Sequence, residues 1–105
     1  RTLIAMGELS LARGHFTDGI DLAQKALAIG QGIPDRRCEA EALLLLTTLR
    51  INMNEKHEGI DLGMSARRMF HDLADTLMEA RTLARIGIAH EHLGNSQLAL
   101  QNYRE

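Results

Sequence analysis

Apolar side chains recur along this chain at spacings of three and four residues, and clusters of breakers interrupt them at regular intervals. That spacing lays one face of an α-helix against a core. No stretch alternates apolar and polar residues long enough to read as a strand, so the pattern predicts an all-α fold. From Thr2 to Arg13, Leu3, Met6 and Leu9 form a first helical face with Ile4 and Leu11 beside it, until Gly14-His15 interrupts. A second face of Ile20, Ala23, Ala26 and Leu27 runs from Thr17 to about Ile29. It is closed by Gly30-Gln31-Gly32-Ile33-Pro34, a cluster that no helix is expected to cross. Asp35 is placed to cap a third helix, with Glu39 in its first turn where the helix dipole favours negative charge, running to about Met53. Asn54 ends that helix and is expected to cap a fourth, whose face is Ile60, Met64 and Met69, followed by Phe70 and Leu73. Thr76 with Glu79 three residues on has the form of a capping box, opening a fifth helix through Leu83, Ile86 and Ala89 to Leu93. Gly94-Asn95 turns the chain into a sixth helix, Leu98 through Tyr103.

The elements repeat with a period of 40 residues. Residues 1–40 laid over 41–80 pair Gly19-Ile20-Asp21-Leu22 with Gly59-Ile60-Asp61-Leu62, Ala26 with Ala66, Asp35 with Asp75, and Glu39-Ala40 with Glu79-Ala80. Residues 81–105 laid over the start pair Arg1-Thr2-Leu3 with Arg81-Thr82-Leu83, Gly7 with Gly87 and Gly14 with Gly94. A fixed period in this range predicts an α-solenoid of antiparallel helical hairpins, each burying its apolar face on the next. The reading is one domain, 1–105, with units 1–40, 41–80 and a truncated 81–105. Arg1 in place of Met, and an end at Glu105 within an amphipathic pattern, read as a piece of a longer protein. Gly7, Gly87, Gly19, Gly59 and Gly63 fall inside helical patterns, where each costs about 1 kcal/mol relative to Ala. Close approach of paired helices is the compensation expected for them.

These residues resemble the tetratricopeptide repeat family, whose usual unit is about 34 residues with a Gly-Asn or Gly-Asp turn between helices. In the third unit Leu83, Ile86, Gly87, Leu93, Gly94-Asn95, Ala99, Leu100 and Tyr103 fall on motif positions; Gly7, Gly14, Phe16, Gly19 and Ala26 do so in the first, and Leu43, Leu46, Gly59 and Ala66 in the second. Thr47 stands where a glycine is typical, Arg50 where an aromatic is, Gly63 where a large residue is, and Asn54 at the turn glycine. The 40-residue spacing is similar to that of kinesin-light-chain-like arrays and of bacterial signalling arrays. The resemblance implies a right-handed superhelix whose first helices line a concave groove that binds peptides or proteins. In that register the groove stripe is Arg1, Ile4, Glu8 and Leu11; Glu41, Leu44, Thr48 and Ile51; and Arg81, Ala84, Ile88 and Glu91. Its apolar middle fits an amphipathic helix or a second array packing there, or else is buried within the stack. The lysine and asparagine set with which some members grip a C-terminal carboxylate is absent.

Composition narrows the function further. At 105 residues with 45% apolar and 25% charged side chains, the chain is an ordinary folded domain. A net charge of −2 and a pI near 6.2 offer no basic field for nucleic acid. The longest apolar run, Ala42–Leu46, is far short of the roughly 18 residues of a spanning helix, so no membrane role is expected. A single cysteine, Cys38, fits a reducing compartment, and the expected location is cytoplasmic. Of the five histidines only His90 and His92 cluster, and residues two apart cannot grip one metal from a helix. The reading therefore assigns no catalytic residues, metal or cofactor, and the chain is not expected to be an enzyme. The favoured role is a protein or peptide interaction module; the alternative is a structural segment whose apolar faces self-associate, giving a homodimer of the isolated segment.

Overall fold

A computed structural model describes residues 2–32 and 35–93. The predicted Gly94-Asn95 turn and the sixth helix, Leu98 through Tyr103, lie outside the described residues. Five helices occupy almost all of the rest: α1 Thr2–Ala12, α2 Phe16–Gly32, α3 Arg36–Asn52, α4 Lys56–Asp72 and α5 Thr76–His92. Each helix packs on the next, and α3 also touches α1 and α5, so α3 meets every other helix. Among the described residues there is no strand, and no helix is long and apolar enough to cross a membrane.

Local chemistry sets the boundaries. The Asp35 carboxylate accepts from the backbone N–H of Cys38 at 3.1 Å, capping α3 as predicted. Forty residues on, Asp75 accepts from the N–H of Met78 at the same distance and caps α5. The expected Thr76–Glu79 capping box is therefore replaced: Thr76 is already inside the helix. The Glu79 carboxylate instead reaches back to α4, 3.3 Å from both Arg67 Nε and His71 Nδ1. Asn54 ends α3 in the left-handed region at φ 65°, as Gly14 does after α1 at φ 78°. It does not cap α4, where Glu55 holds the N-cap position and its carboxylate turns back to Arg50 at 2.5 Å.

Consecutive helices are antiparallel, because residues equidistant from each turn meet. A Cβ on Gly19 would lie 3.4 Å from the Gly7 carbonyl oxygen, and one on Gly59 would lie 3.2 Å from that of Thr47. Thr47 is the 40-residue counterpart of Gly7, and it is tolerated at this crossing although fully buried. Its hydroxyl donates to the Leu43 carbonyl at 2.8 Å within its own helix, leaving only a methyl to pack. Gly63 continues the pattern against α5, where an added Cβ would stand 2.9 Å from Ile86 Cγ1.

α2 ends within the expected glycine cluster, at Gly32, three residues beyond the predicted end at about Ile29. Gly30 is a packing position rather than a breaker: α3 begins against it, and a Cβ there would lie 3.0 Å from the backbone nitrogen of Glu39 and 3.3 Å from its Cα. Two cores result. Ile4, Ile20, Ala23, Ala26, Ala42, Leu45, Leu46 and Leu49 join α1, α2 and α3. Fully buried Phe70, with Ala40, Leu43 and Ala66, joins α3 to α4.

These contacts separate two glycines that sequence treats alike. Gly30→Ala sets a methyl against backbone that cannot yield and should lower stability by about 1–3 kcal/mol. Gly32→Ala, with nothing within 4 Å, should leave stability unchanged or raise it by up to about 1 kcal/mol. Urea midpoints of the two variants check the difference; equal shifts would show that α2 and α3 do not approach as described.

Candidate functional site

A cleft of about 490 Å³ opens along α1, α3 and α5. From α1 come Ile4, Glu8 and Leu11, and from α3 come Arg37, Glu41, Leu44, Leu45 and Thr48. Asp75, at the α5 N-cap, and Met78, Arg81 and Arg85 from the helix form the remaining wall. Seven of the residues expected on the stripe thus meet in one place: Ile4, Glu8, Leu11, Glu41, Leu44, Thr48 and Arg81. They differ in depth. Ile4 and Leu45 are core side chains with only an edge on the cleft, Leu11, Leu44 and Thr48 are half-buried, and Glu8, Arg81 and Arg85 are exposed.

Of the other five expected residues, Arg1 lies outside the described residues and four do not line the cleft. Ile51 is corrected outright: it is 7% exposed, and its Cγ1 would lie 2.8 Å from a Cβ on Gly59, so it fills the α3–α4 seam. Ala84 and Glu91 are exposed and Ile88 is half-buried, all on α5 but away from the cleft. The face that α5 presents is Met78, Arg81 and Arg85, of which Arg81 and Arg85 are the 40-residue counterparts of the lining Glu41 and Leu45.

An ion pair closes one end of the cleft. Arg37 Nη1 on α3 donates to Asp75 Oδ2 at 2.7 Å, while the other oxygen of that carboxylate caps α5. The Arg37 bond first, and the Met78 N–H second, hold the Asp75 carboxyl below its ordinary range, and Arg37 is raised in return. Arg36 and Asp72, 3.6 Å apart, and the Arg67–Glu79 pair add looser charge contacts around the same end of the α3–α4–α5 stack. Sequence pairing of Asp35 with Asp75 held the signal for the cap; the pairing of Arg37 with Asp75 across 38 residues had none.

A second recess, of about 400 Å³, lies across α2, α3 and α4 over Leu27, Leu46 and Leu62, with Gln24, Glu58 and Asp61 at its rim. Arg50 borders it, drawn aside by Glu55 and by Glu58 at 3.8 Å. Cys38 is half-buried, with its Sγ 3.7 Å from the Ala26 carbonyl it faces. His90 is half-buried, and its Nδ1 is buried without a hydrogen-bond partner among the described residues. Among the described residues no three His, Cys, Asp or Glu side chains are grouped as metal ligands. No protein-family model, curated protein or solved structure matches this chain.

The Asp75 carboxylate links pH to stability with a definite sign. Its folded pKa lies below the unfolded value, so its contribution is fully present above about pH 4 and is lost as pH falls further. Asp75→Asn keeps a capping acceptor but removes the charge. The variant should melt below the parent at pH 7, and the gap should narrow towards pH 3. Asp75→Ala, which also loses the cap, should melt lower still at pH 7. A gap between Asp75→Asn and the parent that persists unchanged at pH 3 would exclude the ion pair as its source.

Proposed function

We propose that this chain is a protein-interaction module of tetratricopeptide-like architecture, which binds a peptide or helix in the cleft between α1, α3 and α5. The observation that carries this reading is the convergence of three helices, spaced 40 residues apart in sequence, on one cleft with half-buried Leu11, Leu44 and Thr48 inside it. Half-buried apolar side chains at the bottom of a cleft, with charged groups on its rim, are the arrangement a helix-in-groove contact uses. The 40-residue repeat, the antiparallel hairpins and the small residues at their crossings support the family resemblance. A role as a scaffold or regulatory segment of a cytoplasmic protein follows from it.

Self-association is the second reading. Met6 and Leu9 on α1 and Leu77 on α5 are large apolar side chains left 48%, 51% and 62% exposed. A second copy could cover them without using the cleft.

Selection of displayed random peptides on the protein tests the first reading. Enriched sequences should carry apolar residues at helical spacing, and Leu44→Glu or Thr48→Arg should weaken their binding about tenfold or more, with helical circular dichroism retained. A carboxylate pressed into an apolar partner face loses hydration without a counter-charge. Enrichment that is indifferent to both substitutions would remove the cleft as the binding site. If instead the second reading holds, mass should rise with concentration, and Met6→Glu with Leu9→Glu should abolish that rise.

A further inference from the structure

The cleft carries its charge on opposite sides. α1 and α5 flank α3 and do not touch each other. On the α1 side stands Glu8; on the α5 side stand Arg81 and Arg85, one turn apart. The other charged groups lining the cleft are engaged within the fold: Arg37 is bonded to Asp75 at 2.7 Å, and Glu41 has an interaction of its own. Among the described residues Glu8, Arg81 and Arg85 form no ion pair, although Arg81 adds to the positive field at Asp75. Once the internal pair is set aside, the rim keeps an acid on one wall and two bases on the other, with Leu11, Leu44 and Thr48 between them.

From this we infer that the occupant of the cleft is an amphipathic helix with oppositely charged flanks, its carboxylates towards Arg81 and Arg85 and its base towards Glu8. The inference rests on the cleft being the binding site and adds the chemistry and orientation of what binds. Rim charges contribute modestly to affinity, yet opposite signs on two walls fix direction, because reversing the helix brings like charges together. An evenly acidic segment gains at α5 and loses at Glu8, and an evenly basic one does the reverse.

Four synthetic helices with one leucine stripe form the test: glutamates on one flank and lysines on the other, glutamates alone, lysines alone, and glutamines throughout. Fluorescence anisotropy at low salt should give the two-sided peptide about tenfold tighter binding than the glutamine peptide, converging near ~1 M salt where screening is nearly complete. Arg81→Gln with Arg85→Gln should erase the gain from glutamate and leave the gain from lysine; Glu8→Gln should do the opposite. All three side chains are exposed, so circular dichroism should not change. Equal binding of all four peptides, lost in Leu44→Glu, overturns the charge inference and leaves the cleft as the binding site. A glutamate gain that survives loss of both arginines overturns it as well. Failure of all four peptides to bind also overturns it, and peptide selection then decides the cleft reading independently.

Discussion

The structure depends on the distance at which neighbouring helix backbones can approach. At three successive seams, and where α1 meets α3, a glycine sits where a Cβ would fall within about 3.0 Å of the facing helix: Gly7 with the side chain of Leu45, Gly19 with that of Leu49, Gly30 with the backbone at Glu39, Gly59 with Ile51, and Gly63 with Ile86. All but the last of these contacts are made on α3, which is surrounded. Four helices press on it, and eight of its residues are buried, including Ala42–Leu43 and Leu45–Thr47 on either side of half-buried Leu44. A helix that is apolar nearly all round can be stable only when it is covered on nearly all sides, and small residues on its neighbours let them come close enough to do so.

That arrangement explains what was legible in the sequence. Helix number and placement through Leu93 followed from apolar spacing and from Asp35, and the crossings followed from glycines that have no reason to sit in helix interiors otherwise. The end of α2 was misread because Gly30 has two physical meanings, breaker and close contact, and only the position of α3 decides between them. Thr76 with Glu79 matched a capping box in letters, but the preceding Asp75 is the stronger acceptor and took the cap, freeing Glu79 for Arg67 and His71. In each case local chemistry allowed two outcomes and a tertiary neighbour selected one.

The candidate site was legible along α1 and most of α3, and less so on α5. On α5 the cleft takes Arg81 and Arg85, the counterparts of Glu41 and Leu45, but not Ala84 and Ile88, the counterparts of Leu44 and Thr48. At the start of that helix one carboxylate, Asp75, both caps α5 and holds Arg37, a contact that repeat register does not carry. Ile51 was misplaced because near the end of α3 the α4 backbone comes close enough at Gly59 to take the side chain into the seam.

One ion pair therefore has two consequences on the cleft. It ties the first turn of α5 to the first turn of α3, and it engages a cation and an anion of the cleft lining that would otherwise compete for a ligand. The groups left for recognition are those that form no ion pair among the described residues: Glu8 on the first helix, and on the fifth Arg85 and Arg81, the latter in only a long contact with Met78 Sδ at 4.0 Å. A cleft with equal numbers of acids and bases would read as neutral if its lining were only counted. Its polarity appears once the charges that stabilise the helices are separated from those that face outward, and that separation is made by geometry at Asp75 rather than by composition.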